Sequence, residues 1–209
     1  MNGLVKILTI LCLACAQHAW AKTWNFDVYL DQQKIGTHRF DYENGTLNSL
    51  ADFNVKVLWM SAYRYQHQAT EQWQGECLSK LSAQTQENKV KTVVEGQLRS
   101  QQFEVQVNEK NVSLPTCIMT FAYWNPLMRQ QSKLLNPQNA EFLDVTVTGQ
   151  GVATLKVRGQ STPTQVFLLK GRFEGKEKLN IRLWYDERDE WVGLESTTPE
   201  GYKINYKIK

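Results

Sequence analysis

The sequence predicts an all-β protein, built as a strongly curved antiparallel meander or a partly closed β-barrel of about 12 strands. Three observations support this fold class. Apolar and polar residues alternate with a period of two along most of the chain, which is typical of strands with one buried face. Short polar turns separate the alternating runs, and no long stretch keeps the 3.6-residue period of a capped amphipathic helix. Because about 12 strands are more than one flat sheet usually holds, we expect the sheet to curl or close.

The amino-terminal segment is predicted to be a secretory signal peptide over residues 1–21. It has a short polar start, an apolar run over residues 7–16, and a small-residue motif that ends at Ala21. We expect cleavage between Ala21 and Lys22. We expect the product to be a single exported, soluble β domain over residues 22–209.

Two alternatives to a cleaved signal peptide stay open. A retained anchor is disfavoured because the apolar run is shorter than the roughly 20 residues that cross a bilayer. Lipidation at Cys15 is disfavoured because Cys12 stands where a lipoprotein motif has leucine. No later stretch is apolar enough to span a membrane, so we expect no integral span after processing.

The charge balance argues against a nucleic-acid partner. The 209 residues carry 24 basic and 21 acidic side chains, a formal net charge of +3, and the basic residues are scattered along the chain. A nucleic-acid interface usually has basic residues concentrated in a patch or stripe.

The first three strands are predicted at residues 24–30, 34–42 and 47–57, where apolar side chains occupy every second position. Asn44 and Gly45 separate the second strand from the third. An Asn-Gly pair is a strong hairpin signal because both central residues of a type I′ turn need a positive φ.

The fourth predicted strand, residues 63–74, has two sharply different faces. One face is aromatic and ionisable, with Tyr63, Tyr65, His67, Ala69, Glu71 and Trp73. The other face is rich in glutamine, with Gln66, Gln68, Gln72 and Gln74. Buried amides without partners cost about 1 to 3 kcal/mol each, so we expect the aromatic face to point inward.

The alternation continues through most of the remaining chain. Further strands are predicted at residues 77–85, 90–95, 103–107, 143–148, 153–157, 165–173, 179–185, 191–196 and 202–208. The pattern fails near residues 118–141, because residues 118–124 are apolar at nearly every position. We expect a buried crossing segment there, with a structured loop and at most a short helix over residues 126–131.

Two cysteines remain after removal of the signal peptide. An even pair in an exported chain predicts a disulfide between Cys77 and Cys117, and two buried free thiols are the alternative. No metal site is expected, because zinc needs three or four ligands and these cysteines are not closely spaced with His38 or His67.

A catalytic reading of the sequence centres on His67 and Glu71, whose pKa values desolvation would shift. Four residues along a strand span about 13 Å, so these two side chains cannot touch and would need a partner such as His38 from a neighbouring strand. No nucleophile elbow, phosphate loop or dinucleotide fingerprint is present, so the sequence predicts no cofactor.

The aromatic residues support a binding site in the mouth or lumen of the curled sheet. Such sites combine apolar walls with a few polar groups that hold the head of the ligand. The candidate ligand-binding residues are Trp24, Phe26, His38, Phe40, Tyr63, Tyr65, His67, Glu71 and Trp73. The alternative is that these aromatic side chains only fill the core.

Four short motifs resemble an uncharacterised exported bacterial family, domain of unknown function 6134. They are MTFAYWNP at residues 119–126, LLNPQ at 134–138, LWYD at 183–186 and WVGLE at 191–195. The resemblance extends from Trp24 to Ile208. One departure is Asn139-Ala140, where the family has Thr-Gly. The resemblance implies a Gram-negative periplasmic protein and assigns no chemistry.

Three classes of function therefore remain. The first is a non-catalytic periplasmic protein that binds a lipid-like or other apolar small molecule. The second is a protein-interaction or envelope-assembly module, which would expose an apolar patch or an open sheet edge. The third is an enzyme, which needs His67, Glu71 or His38 to converge with another polar group.

Overall fold

The computed structural model describes residues 21–57, 60–198 and 200–209. The expected signal peptide lies outside the described residues, apart from Ala21. The described chain is all-β, as predicted, with one short 3₁₀ helix over Pro126–Gln130. The strands are β1 Lys22–Leu30, β2 Gln33–Glu43, β3 Thr46–Val57, β4 Met60–Gln74, β5 Cys77–Glu87, β6 Val90–Arg99, β7 Gln102–Val107, β8 Lys110–Pro115, β9 Lys133–Leu135, β10 Phe142–Val157, β11 Gln160–Phe173, β12 Lys176–Tyr185, β13 Trp191–Thr197 and β14 Lys203–Ile208.

These strands form one curved antiparallel sheet that does not close. Within the described residues the sheet has 14 strands, and nearly all neighbours in the sheet are also neighbours in the sequence. The exception is β1, which pairs with β14 between Phe26 and Ile208. The first and last strands therefore lie in the middle of the sheet, and the strands from mid-sequence, β8 and β9, form its edges.

The 14 strands of the described residues differ from the predicted set of about 12 in two places. The strands predicted at 143–148 and 153–157 are one strand, β10, with a bulge between Gly149 and Gly151. The edge strands β8 and β9 were not predicted. Nearly all of β8 is exposed, and β9 has three residues, so neither shows an alternating pattern long enough to recognise.

The turn between β2 and β3 has the predicted conformation. Asn44 and Gly45 have φ values of 50° and 76°, as a type I′ turn requires. The carbonyl oxygen of Gly45 also accepts a hydrogen bond from the amide of Trp73 at 2.7 Å, which connects this turn to the end of β4.

The crossing segment, residues 116–132, runs from the edge strand β8 to the edge strand β9. The Leu78 amide donates to the Ile118 carbonyl oxygen at 3.0 Å, and the Leu135 amide donates to that of Met119 at 2.8 Å. The segment thus bonds to β5 on one side and to β9 on the other. Both of its faces meet other parts of the protein, which explains why the sequence is apolar there without alternation.

The predicted disulfide between Cys77 and Cys117 is present. It joins the first residue of β5 to the crossing segment and closes a sequence separation of 40 residues. The 3₁₀ helix begins farther along the crossing segment, at Pro126, and the Asn125 side chain caps it by accepting from the Leu127 amide at 3.0 Å.

The interior contains two apolar clusters. The larger cluster includes Trp24, Phe26, Trp73 and buried residues of the crossing segment. The smaller cluster is built on Val28, Ile35, Ala51, Phe53 and Tyr65, and half-buried residues Leu30, Val55, Tyr63, Ile204 and Tyr206 pack against it. Because Leu30 and Ile204 lie at strand ends, this smaller cluster occupies one end of the curved sheet.

Candidate functional site

The strand register arranges the inward side chains at this end in successive levels. The outermost level, here called the rim, consists of the half-buried side chains Leu30, Val55, Tyr63 and Ile204. The next level contains the aromatic residues Phe53, Tyr65 and Tyr206. The third level, the histidine row, is a continuous register line across β2 to β5 formed by His38, Ala51, His67 and Thr85.

Tyr65 lies just above the histidine row on β4. Its ring stacks on Phe53 at a centroid distance of 5.1 Å, and it lies 6.4 Å from the His67 ring. The side chain is 8% exposed, and burial raises the pKa of the phenol, which stays protonated. Among the described residues, the Tyr65 hydroxyl has no hydrogen-bond partner.

His67 is the more deeply buried histidine, with 4% exposure. Its Nδ1 lies 2.9 Å from the Thr85 hydroxyl, and that hydroxyl donates to the Gln138 carbonyl oxygen at 3.4 Å. Burial lowers the pKa of His67 to about 4, so the ring is neutral at physiological pH. Its Nε2 has no hydrogen-bond partner in the part of the chain that the structure describes.

Both nitrogens of His38 have partners. Nε2 lies 2.8 Å from the Ser49 hydroxyl, and Nδ1 lies 3.2 Å from the Tyr206 hydroxyl. Burial, and secondarily the neighbouring His67, lowers the pKa of His38 well below its ordinary value. The Ser49 and His38 pair lacks the carboxylate that orients and supports the base in a catalytic triad, since Tyr206 stands at Nδ1.

Glu71 lies deeper on β4 and belongs to a different environment. It is 4% exposed, and its Oε2 accepts a hydrogen bond from the Thr120 hydroxyl of the crossing segment at 3.1 Å. Burial raises the pKa of this carboxyl group to about 7. His67 and Glu71 therefore bond to different partners, and they form no acid–base pair in this structure.

The other candidate aromatic residues pack in the larger cluster. Trp124 of the crossing segment lies 6.2 Å from Trp24 and 5.6 Å from Trp73, measured between ring centroids. Trp191 lies 4.4 Å from Phe26 and 5.2 Å from Phe40. Of the nine candidates, the structure thus brings Tyr63, Tyr65, His67 and His38 together near the rim. Phe26 is the register partner of His38, and the Phe40 ring stacks on the His38 ring at 4.0 Å. The other three candidates lie farther in.

Sequence reasoning missed Ser49, Thr85 and Tyr206 as members of the site. Ser49 carried a usable signal, because it is a polar residue on the otherwise apolar face of the third predicted strand. The sequence held no signal for Tyr206, because its approach to His38 depends on the pairing of β1 with β14.

Two surface depressions are lined by residues outside the rim and the histidine row. A groove of about 420 Å³ follows the outer face of β3 to β6 and is lined by Leu50, Gln68 and Gln84 among others. A cleft of about 230 Å³ includes Lys22, Trp24 and Arg158. Its cations are engaged, because Lys22 pairs with Glu190 and Arg158 donates to the Lys209 carbonyl oxygen at 2.6 Å.

Within the described residues, no group of three or more histidine, cysteine or acidic side chains could hold a metal ion. The one helical element there is far too short and polar to reach across a lipid bilayer.

These features define a barrel-like β protein with a polar row inside a curved sheet. The chain belongs to the family described as Domain of unknown function (DUF6134), whose family model matches residues 26–209. Among solved structures it is similar to a beta-barrel-like protein of domain of unknown function DUF1849 from Brucella abortus. The TM-score is 0.65 at 14% sequence identity, over 90% of this chain and 95% of that one. This likeness concerns the fold alone. No curated protein matches the chain.

Proposed function

We propose that the mature chain is a non-catalytic periplasmic protein that binds a lipid-like small molecule between the rim and the histidine row. The Cys77–Cys117 disulfide supports an oxidising compartment, since such bonds persist mainly in exported proteins. The family resemblance supports a periplasmic setting.

One observation carries the binding proposal. The Tyr65 hydroxyl and His67 Nε2 are both on residues more than nine-tenths buried, yet neither has a hydrogen-bond partner among the described residues. Neither atom is among the fully enclosed side-chain atoms that lack a partner, so both remain accessible to a ligand. A ligand head can therefore hydrogen-bond to both groups, while its apolar part contacts the half-buried rim.

The proposal gives the nine candidate residues different tasks. Tyr65 and His67 hold the head group, Tyr63 contacts the apolar part at the rim, and His38 keeps Ser49 and Tyr206 in place beside the head. Trp24, Phe26, Phe40, Glu71 and Trp73 form the packed floor under the site.

Replacing Tyr65 by Phe and His67 by Leu together tests this function. We expect the double variant to keep its circular dichroism spectrum but to lose the lipid that co-purifies with the unaltered protein from bacterial membranes, as measured by native mass spectrometry. A matched control replaces Gln66 and Gln68 by Leu on the outward face of the same strand and should retain lipid. If the variant with both Tyr65→Phe and His67→Leu still retains lipid, the lipid does not bind at this site.

A protein-interaction role is the second candidate, and the open sheet edges favour it. Beyond Val145, no described strand pairs with the outer side of β10, and Val152 on this stretch is 77% exposed. An unprotected edge can accept a strand from another protein. Chemical cross-linking in cells would then capture a partner through β10 while lipid extracts of the purified protein stay empty.

A further inference from the structure

Resting on the proposed function, we propose that the ligand head is an uncharged hydrogen-bond donor, a hydroxyl or an amide, and that the site rejects ionised fatty acids. The geometry of the histidine row and the charges around the rim support this inference independently.

The first argument is the tautomer of His67 that satisfies both contacts of Thr85. The Gln138 carbonyl oxygen can only accept, and the Thr85 hydroxyl, 3.4 Å away, has one proton to donate to it. With that bond made, the 2.9 Å contact is a hydrogen bond that His67 Nδ1 donates to Thr85, and Nε2 carries the lone pair. Only a ligand with an O–H or N–H can bond to it, and a carboxylate has neither.

The second argument is the absence of positive charge. No lysine or arginine belongs to the rim, the aromatic level or the histidine row as the described side chains form them. Basic residues nearby are held in outward ion pairs, such as Arg64 with Asp52 at 2.8 Å and Lys34 with Asp27 at 2.9 Å. A carboxylate brought into this site would lose its hydration without gaining a cation from the described side chains.

The third argument is the acidic side chain beside Tyr63 and Tyr65. Glu87 is the register partner of Tyr65, and its Oε1 accepts from the Tyr63 hydroxyl at 3.0 Å. A negatively charged head group would be repelled by Glu87 at the rim, whereas a hydroxyl head would not.

Three probes of equal chain length separate these chemistries: hexadecanol, methyl palmitate and palmitate, titrated at mildly alkaline pH, where palmitate is ionised. The alcohol is a neutral donor, the ester is neutral without a donor, and palmitate is an anion. We expect hexadecanol to bind about tenfold more tightly than the ester, because one hydrogen bond is gained, and palmitate to bind least. This ranking is measured on the unaltered protein and needs no variant.

Replacing His67 by Leu should lower hexadecanol affinity to that of methyl palmitate and leave the ester unchanged. A second variant, Thr85→Val, frees the imidazole to carry its proton on Nε2. It should also reduce the preference for hexadecanol over methyl palmitate. Gln68→Leu, on the outward face, is the matched control and should keep the ranking of the unaltered protein.

The three probes distinguish failure of the head-group inference from failure of the proposed function. If none of the three probes binds, the proposed function itself fails. If palmitate binds as tightly as hexadecanol, or the alcohol keeps its advantage in both His67→Leu and Thr85→Val, the protein binds lipids but the inference about the head group is overturned.

Discussion

Glu71 is a carboxyl group held in an apolar interior, where it accepts a hydrogen bond from Thr120. Burial favours the protonated form, which raises its pKa from the ordinary value of 4.5 to about 7. Between these two pH values the folded protein keeps a proton that the unfolded chain has released. The free energy of unfolding contributed by Glu71 therefore falls as pH rises through this window and is constant above it.

The variant Glu71→Gln should remove this dependence. Relative to the unaltered protein, we expect it to gain stability as pH rises from 4.5 to 7, by a total on the order of 3 kcal/mol. Urea unfolding at a series of pH values measures the difference. His67 has the opposite dependence, since its lowered pKa costs stability as pH falls, and subtracting the two proteins cancels it. Parallel stability profiles would show that Glu71 does not titrate in this window.

At the scale of residues, the sequence predicted which side chains are buried better than it predicted their hydrogen-bond partners. Tyr65, His67, Glu71 and Trp73 are buried and the alternating glutamines of β4 are exposed, as the period-2 pattern indicated. Hydrogen-bond partners such as Tyr206 for His38 were beyond the pattern, because they come from strands distant in sequence.

The crossing segment is the element that depends most on a covalent bond. It carries buried side chains of the larger cluster, and the disulfide at Cys117 fixes its start to β5. Closing a loop of 40 residues restricts the unfolded chain, for which the loop-entropy model gives about 4 kcal/mol.

Reducing the disulfide should therefore lower the free energy of unfolding by about 4 kcal/mol, less any native strain that reduction relieves. Thermal melting with and without reductant measures this change, and Cys77→Ala should reproduce it. Adding reductant to the Cys77→Ala variant is the control and should change nothing further. An unaltered melting temperature in reductant would contradict a stabilising role for this bond.

Among the elements, those with a half-buried alternating face were predictable, and those at the edges were not. The bulge that keeps β10 continuous near Gly149 also escaped prediction, because a run of Gly-Gln-Gly has the composition of a turn. The 3₁₀ helix over Pro126–Gln130 matched the expected short helix closely, since Asn125 and Pro126 provide a recognisable start.

The whole molecule brings its two described ends together. The amide of Lys209 donates to the carbonyl oxygen of Asn25 at 2.9 Å, and Phe26 is the register partner of Ile208. Alternation alone could predict a curved sheet of many strands but could not show which strands are neighbours. The pairing of β1 with β14 therefore became known only from the structure.

A circular permutant should consequently fold. Joining Lys209 to Lys22 by a short glycine-serine linker and opening the chain in the exposed β6–β7 turn, between Ser100 and Gln101, disrupts no strand. We expect a native-like circular dichroism spectrum and a cooperative melt. A second permutant, opened within β4 between Gln68 and Ala69, should fail to fold. If the permutant opened between Ser100 and Gln101 does not fold, the prediction that this turn can be cut is wrong.

The central position of β1 also sets an order of events during folding. Strands β1 to β8 can pair as successive hairpins with their neighbours in sequence, but the second side of β1 has no partner until β14, the last strand, joins the sheet. Until then β1 is an edge strand with unpaired amide and carbonyl groups, open to association with other chains. A chain truncated before residue 203 would carry this exposed edge permanently, so aggregation is the expected fate of incomplete copies.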